Sequence, residues 1–146
     1  MLTRQEMFDK VVEGLASQDF QQSVSVYRIN DEGDVDFGCA YRGENGLKCA
    51  AGWLIPDELY DPNMENRLAT GIIKQYPQCN EYLECSDDDR FDKLVSELQC
   101  AHDDSSGPSG MIDNLRRVAA RINLNTQKLD EAEKALEAKL EQQYAE

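Results

Sequence analysis

The sequence predicts an α+β domain: a small β-hairpin, with a third short strand as an option, packed against four to five helices. Three observations predict this class. Several segments repeat apolar residues at the three-to-four-residue spacing of a helix. Two shorter segments, 24–26 and 35–41, instead alternate apolar with polar residues, and the turn-rich run 30–34 separates them. An amphipathic stretch rich in Ala, Glu, Lys and Leu closes the chain.

The first helix is predicted over residues 4–18. Thr3 and Glu6 form a capping-box pattern, in which each side chain accepts a hydrogen bond from the other residue's backbone N–H. The stripe that follows is Met7, Phe8, Val11, Val12 and Leu15. Its spacing places these side chains on one face, which we expect to be buried.

Three further helices are predicted before the C-terminal one. The first spans about 66–75. The second starts near Ser86 as its N-cap, and its stripe is Phe91, Leu94, Val95, Leu98 and Ala101. The third has its stripe within 111–122 and follows a linker-like loop at 103–110, which reads DDSSGPSG.

The chain is predicted to form one globular domain over 1–125, followed by a C-terminal helix over 126–146. Thr126 is the expected N-cap, and the stripe is Leu129, Ala132, Leu136 and Leu140. A stripe this narrow suits a helix that packs along the domain or forms the seam of a homodimer. Both arrangements remain open at this point.

The net charge limits the classes of partner that this chain is expected to bind. The chain carries 29 acidic and 15 basic residues, for a net charge of −14. Direct nucleic-acid binding is not expected, because it depends on Lys and Arg neutralising phosphates, and an anionic membrane is disfavoured for the same reason. No apolar run reaches the roughly 20 residues that cross a bilayer, and the first ten residues lack a secretory signal. We therefore expect a cytoplasmic protein with reduced cysteines.

The acidic residues are unevenly spread. The candidate binding carboxylates are Asp87, Asp88, Asp89, Asp103 and Asp104. They form either a solvated face or a surface that attracts a basic protein. Trp53 and Tyr60 are either part of the core or anchors of an interface, because aromatic side chains concentrate binding energy.

Nucleophilic catalysis is the main enzymatic hypothesis. Cys49 follows a glycine-containing turn and is expected to open a helix, where backbone N–H groups and the helix dipole lower the pKa of a thiol. His102 is the single histidine and so the only imidazole base. The alternative is that Cys49 is small because a helix packs closely there.

No metal and no cofactor is predicted. The cysteines lack the close pairs of structural zinc sites, and one histidine does not build a multi-histidine centre. The carboxylates at 87–89 are consecutive, whereas a calcium loop needs alternate ligands. The glycines match no phosphate-binding loop.

The run CAAGWLIPDELY at 49–60 resembles a pattern in small uncharacterised proteins of bacteriophages and prophages, approximately C-A-x-G-x-L-I-P-D-x-x-Y. Met64-Glu65 matches a Met-Glu pair of that group. The later segment 98–103 resembles its L-Q-x-x-H-D pattern. The similarity covers about residues 37–103. It implies a phage or prophage origin and a role in the host-cell cytoplasm. It gives no information about an activity.

The leading functional expectation is a non-enzymatic binder, or inhibitor, of a host or phage protein. The acidic surface would occupy a basic groove of a defence or nucleic-acid-handling protein. The alternatives are a thiol-dependent enzyme using Cys49 and His102, and an architectural dimer built on the C-terminal helix.

Overall fold

The computed structural model describes residues 3–29, 35–65 and 89–145. Within these ranges the chain forms five α-helices: α1 (Arg4–Ser17), α2 (Ala50–Leu54), α3 (Asp89–Asp103), α4 (Pro108–Arg121) and α5 (Gln127–Ala145). Short 3-10 turns lie on both sides of α2, at Glu44–Gly46, Asp57–Leu59 and Pro62–Met64. None of the described helices is long and apolar enough to span a membrane. The helix predicted at 66–75 lies outside the described residues.

The α+β prediction is wrong, because the described chain is a helical domain. The segments β1 (Val24–Ile29) and β2 (Val35–Cys39) pair antiparallel as a two-stranded sheet, a small element beside the five described helices. Helices and the loops between them supply the described core. The alternating pattern locates a strand pair, but it does not tell how large a part of the domain that pair forms.

The stripes predicted for α1, α3 and α4 are largely buried, and the side chain of Phe91 is not described. The stripe predicted for α5 is buried at Leu129 and exposed at Leu140. The capping box at Thr3 and Glu6 is confirmed, with both reciprocal hydrogen bonds present. The fully or almost fully buried apolar side chains described in α3 and α4 are Leu94, Val95, Leu98, Ala101, Met111, Ile112, Leu115, Val118 and Ala119. The loop predicted at 103–110 is shorter in the structure, since α3 runs through Asp103 and α4 starts at Pro108.

The first and last helices, α1 and α5, run parallel to each other. Gln5 exchanges hydrogen bonds with the backbone of Asn125, at 3.0 and 2.8 Å. Beyond the other end of α1, Lys139 Nζ donates to Asp19 Oδ2 at 2.7 Å. Both pairs are separated by 120 residues. Between them, Lys128 Nζ of α5 lies 3.2 Å from Glu13 Oε1 of α1, so the two helices pack along each other in the same direction. Leu129 of α5 is fully buried in the core through this packing.

Candidate functional site

The helix α2 is only five residues long, and side chains from outside it satisfy both of its ends. At the N-terminus, Cys49 Sγ accepts from the Gly52 N–H at 3.4 Å, and Gln99 Oε1 of α3 accepts from the Ala51 N–H at 2.9 Å. At the C-terminus, the Arg42 guanidinium donates to the carbonyls of Gly52 and Ile55, each at 2.7 Å. A helix this short is unstable alone, so these caps explain why it forms here.

The candidate nucleophile Cys49 is buried at the N-terminus of α2. Its side chain has no exposed surface. Burial raises the pKa of the Cys49 thiol to about 12, even though the Gly52 N–H and Gln99 act in the opposite direction. A thiol in this state is protonated at neutral pH and out of reach of a substrate. The geometry therefore offers no activated nucleophile at Cys49.

The candidate base His102 is fully buried, and both of its ring nitrogens are engaged. Nε2 accepts from the backbone N–H of Ser23 at 2.9 Å. Nδ1 lies 2.8 Å from Asp103 Oδ1. Because Nε2 is an acceptor, the neutral ring carries its proton on Nδ1 and donates it to the carboxylate. This pattern joins the start of β1 to the end of α3 and leaves no nitrogen for a substrate.

The Asp103 carboxylate, at the end of α3, accepts hydrogen bonds from several side chains. Gln99 Nε2 donates to it at 2.9 Å, beside the bond from His102. The Cys39 thiol also hydrogen-bonds to it, and the pKa of that thiol is raised to about 12, chiefly by burial and then by Asp103. The carboxylate therefore connects the end of β2 to α3.

Cys39, His102 and Asp103 also offer three metal-ligand atoms within 4.8 Å of one another. The hydrogen bonding argues against a metal centre. A metal on Nδ1 would move the ring proton to Nε2, where it would face the Ser23 N–H. Metal-bound histidines instead donate their second N–H to an acceptor. We interpret the cluster as a structural hydrogen-bond centre.

A second centre forms around Glu65. Its carboxylate accepts from the backbone N–H groups of Tyr41 and Arg42, at 2.9 and 3.1 Å, and from the Tyr60 hydroxyl at 2.6 Å. The Arg42 guanidinium also stacks over the Tyr60 ring, 4.8 Å from its centroid. Tyr60 is half-buried and its hydroxyl is used internally. Its role as an interface anchor remains a prediction.

The residues that carry the sequence resemblance thus form an internal framework. Gln99 and His102 hold distant backbone groups, and Glu65 does the same for the segment after β2. Gly52 is required by a close approach, because a Cβ there would lie 2.3 Å from the Tyr41 carbonyl oxygen. The sequence analysis missed Ser23 and Arg42 as members, and neither stands in a recognisable motif. Gln99 and Glu65 were visible only as part of the resemblance.

Trp53 lines an open groove beside α1. A Cβ built on Gly14 would lie 2.2 Å from Trp53 Cδ2, so the indole packs directly on the backbone of α1. The Lys48 ammonium lies 4.6 Å from the ring centroid, in cation–π geometry. Lys48 in turn donates to Asp57 Oδ1 at 3.1 Å. Trp53 is half-buried, and its indole remains at the edge of the groove.

The candidate acidic residues do not all fall within the described part of the chain. Asp87 and Asp88 lie outside it, and Asp89 is the first residue of α3, with no description of its side chain. Asp103 belongs to the hydrogen-bond centre above. Asp104 is exposed and is the member that faces solvent freely among the described residues.

Comparison with family models, with curated proteins and with solved structures finds no match to this chain. The functional assignment therefore depends on the geometry and charges described above.

Proposed function

We propose that this chain is a non-enzymatic protein-binding domain that engages a basic partner through its acidic surface. The specific form is occupation of a basic groove that would otherwise hold nucleic acid, with the carboxylates in place of phosphates. The partner is a host or phage protein of the cytoplasm, a setting that suits the free thiols of Cys39, Cys49 and Cys100.

The observation that carries this proposal is the surplus of unpaired surface carboxylates. The exposed carboxylates without a hydrogen-bond or ion-pair partner among the described residues are Glu44, Glu58, Asp104, Asp113, Glu137 and Glu141. They belong to a chain with a net charge of −14. By contrast, the candidate catalytic side chains Cys49 and His102 are fully buried, and each is hydrogen-bonded to a backbone N–H. The unpaired carboxylates are thus at the surface, whereas the Cys49 thiol and the His102 imidazole are buried.

Affinity capture on the immobilised full chain tests the proposal, and a bacterial lysate is the first choice because of the phage resemblance. The captured protein should elute as salt rises, since exposed charges are screened over about 8 Å at physiological ionic strength. The chain should also displace nucleic acid from the purified partner. Replacing Asp87, Asp88, Asp89 and Asp104 together by Asn should slow association more than it speeds dissociation.

Cys49→Ala is the matched control, because it removes the thiol without changing surface charge. We expect partner binding to be retained in this variant, provided that circular dichroism shows an intact fold. Binding that is independent of salt and lost in Cys49→Ala would overturn the proposal in favour of thiol chemistry.

One observation favours a second candidate, an architectural dimer through α5. Lys139 of α5 contacts Asp19, which lies two residues past the end of α1, so the last part of α5 extends beyond α1. There Leu140 and Tyr144 are 42% and 89% exposed. Two copies paired antiparallel about Leu140 would place Lys139 of each copy opposite Glu141 of the other.

Light scattering of the full chain tests the dimer. Substituting Leu140 and Tyr144 together by Glu should convert a dimer to a monomer. Gln142→Glu is the control, because it adds charge to the opposite face of the helix. A monomeric wild-type chain at all accessible concentrations excludes this candidate.

A further inference from the structure

The groove beside Trp53 has the size and lining of a binding site. Its volume is about 780 Å³, within the range of roughly 300–1,000 Å³ that ligand sites occupy. The apolar part of the lining is Trp53, Ile55, Pro56 and Leu59, and α1 forms the opposite wall. Most of the lining comes from the run 48–59, which overlaps the segment that carries the sequence resemblance. That run therefore builds a surface feature as well as the internal framework.

From this geometry we infer that the groove binds an extended peptide segment of the partner in which an apolar side chain lies next to a lysine or arginine. The inference rests on the proposed function and names the surface and the chemistry of the contact. The apolar side chain would pack on the Trp53 edge and Leu59, while the cation would meet the acidic rim.

The rim charges favour a basic occupant. The carboxylates of Glu13, Asp57 and Glu58 all lie on exposed residues at the groove. The two lysines that line it are less exposed, and Lys48 is 20% exposed with its ammonium over the indole and on Asp57. Glu58 has no partner among the described residues, so it is the carboxylate most available to a cation. Glu13 is paired with Lys128, and Asp57 is paired with Arg42 and Lys48. The unpaired charge that the described lining offers is therefore the negative charge of Glu58.

The indole supplies a polar group that the domain leaves unused. Trp53 Nε1 is buried, and it has no hydrogen-bond acceptor among the described residues. A buried N–H without an acceptor destabilises the folded state, because it has lost its hydrogen bond to water. A backbone carbonyl of a peptide lying along the groove would be a suitable acceptor for this N–H.

The single tryptophan makes the test specific, because its indole N–H gives one NMR resonance for the whole chain. The probe is a capped synthetic peptide that alternates leucine, proline and lysine. Its counterpart has glutamate in place of each lysine. We expect the lysine peptide to shift the indole resonance saturably and the glutamate peptide to leave it unchanged.

A labelled form of the lysine peptide, followed by fluorescence anisotropy, measures the affinity of variants. Glu58→Gln should weaken binding about two- to five-fold, the range of an exposed ion pair. Glu44→Gln is the matched control, because Glu44 is also an exposed, unpaired carboxylate in a 3-10 turn but lies outside the groove. It should leave the affinity unchanged.

The outcomes separate this inference from the proposed function. If the lysine peptide binds by anisotropy without moving the indole resonance, the groove inference is overturned and the acidic-surface proposal stands. If Glu58→Gln and Glu44→Gln weaken binding equally, the groove inference is likewise overturned. If neither peptide binds at millimolar concentration and the chain captures no basic partner, both are overturned.

Discussion

The imidazole of His102 and the backbone N–H of Ser23 form a buried hydrogen bond of 2.9 Å, with Nε2 as the acceptor. The two residues are 79 positions apart in the sequence. This contact fixes the tautomer of His102 and directs its other nitrogen to Asp103. The only histidine of the chain is thus a connector between β1 and α3.

We expect His102→Leu to lower the free energy of unfolding by about 1–3 kcal/mol, because it leaves the Ser23 N–H buried without an acceptor. Urea denaturation measures this change. Asp104→Asn, at the exposed neighbouring position, is the control and should stay within about 0.5 kcal/mol. A loss for His102→Leu as small as that of the control would show that the contact contributes nothing.

The cysteines should differ sharply in reactivity. Cys100 is exposed, whereas Cys49 is fully buried with its thiol pKa raised to about 12 by burial. In the native chain at pH 8, iodoacetamide should therefore modify Cys100 and spare Cys49 until urea unfolds the domain. Peptide mass spectrometry identifies the modified residue. Rapid native labelling of Cys49 would revive the thiol-enzyme hypothesis.

Stability should fall at alkaline pH. Burial is the main cause that raises the pKa of Cys39, Cys49 and Tyr60 to about 12, from ordinary values of 9.0 for a thiol and 10.0 for tyrosine. Each group binds its proton more tightly in the folded chain than in the unfolded chain. Their contribution is therefore complete below about pH 9 and is lost as the pH rises towards 12.

Urea midpoints between pH 8 and 11 measure this loss. Tyr60→Phe should reduce the part of the decline that occurs above pH 10, because it removes one of the titrating groups. A midpoint that holds constant or rises over this range would contradict the assignment.

Gly14→Ala should destabilise the domain, although alanine normally favours a helix over glycine by about 1 kcal/mol. The new Cβ would lie 2.2 Å from Trp53 Cδ2, and the overpacking should cost about 1–3 kcal/mol. Gly110→Ala in α4 is the control, since its nearest neighbour is Ser106 Oγ at 3.5 Å. Thermal denaturation should show opposite signs for the two variants, and equal effects would contradict the packing of Trp53 on α1.

Leucines on one helix should differ according to burial. Leu129→Ala should cost about 2–5 kcal/mol, because Leu129 is fully buried. Leu140→Ala should stay within about 0.5 kcal/mol, because Leu140 is 42% exposed beyond the end of α1. Chemical denaturation of both variants tests the packing of α5. An equal loss in the free energy of unfolding for the two variants would mean that α5 packs on the domain along its whole length or not at all.

The helices were predictable because their signal is local. The stripe from Met7 to Leu15 and the capping box at Thr3 lie within one segment, and periodicity reveals both. The fold class was not predictable in the same way. Alternation at 24–26 and 35–41 indicates a strand pair, but it does not tell whether that pair covers a core. In the described residues the helices build the core, and the strands pair with each other.

The candidate site was less predictable, since its contacts join polar side chains to backbone groups far away in the sequence. Gln99 reaches the Ala51 N–H over 48 residues, and His102 reaches Ser23 over 79. No composition or spacing rule specifies such pairs. The sequence predicts that Cys49 lies at a helix start, but it does not show that Gln99 of α3 caps the same helix end or that Cys49 is fully buried there.

The offset of 120 residues between α1 and α5 has a consequence for biosynthesis. The ribosome synthesises α1 long before α5. The face of α1 that contacts α5 therefore stays uncovered until the end of the chain has been made. Contacts between residues so far apart in the sequence slow folding, because the chain loses the entropy of closing a long loop before the contacts form. We therefore expect nascent chains that end before Gln127 to leave this face open to chaperones, and the last step of folding to follow translation of α5.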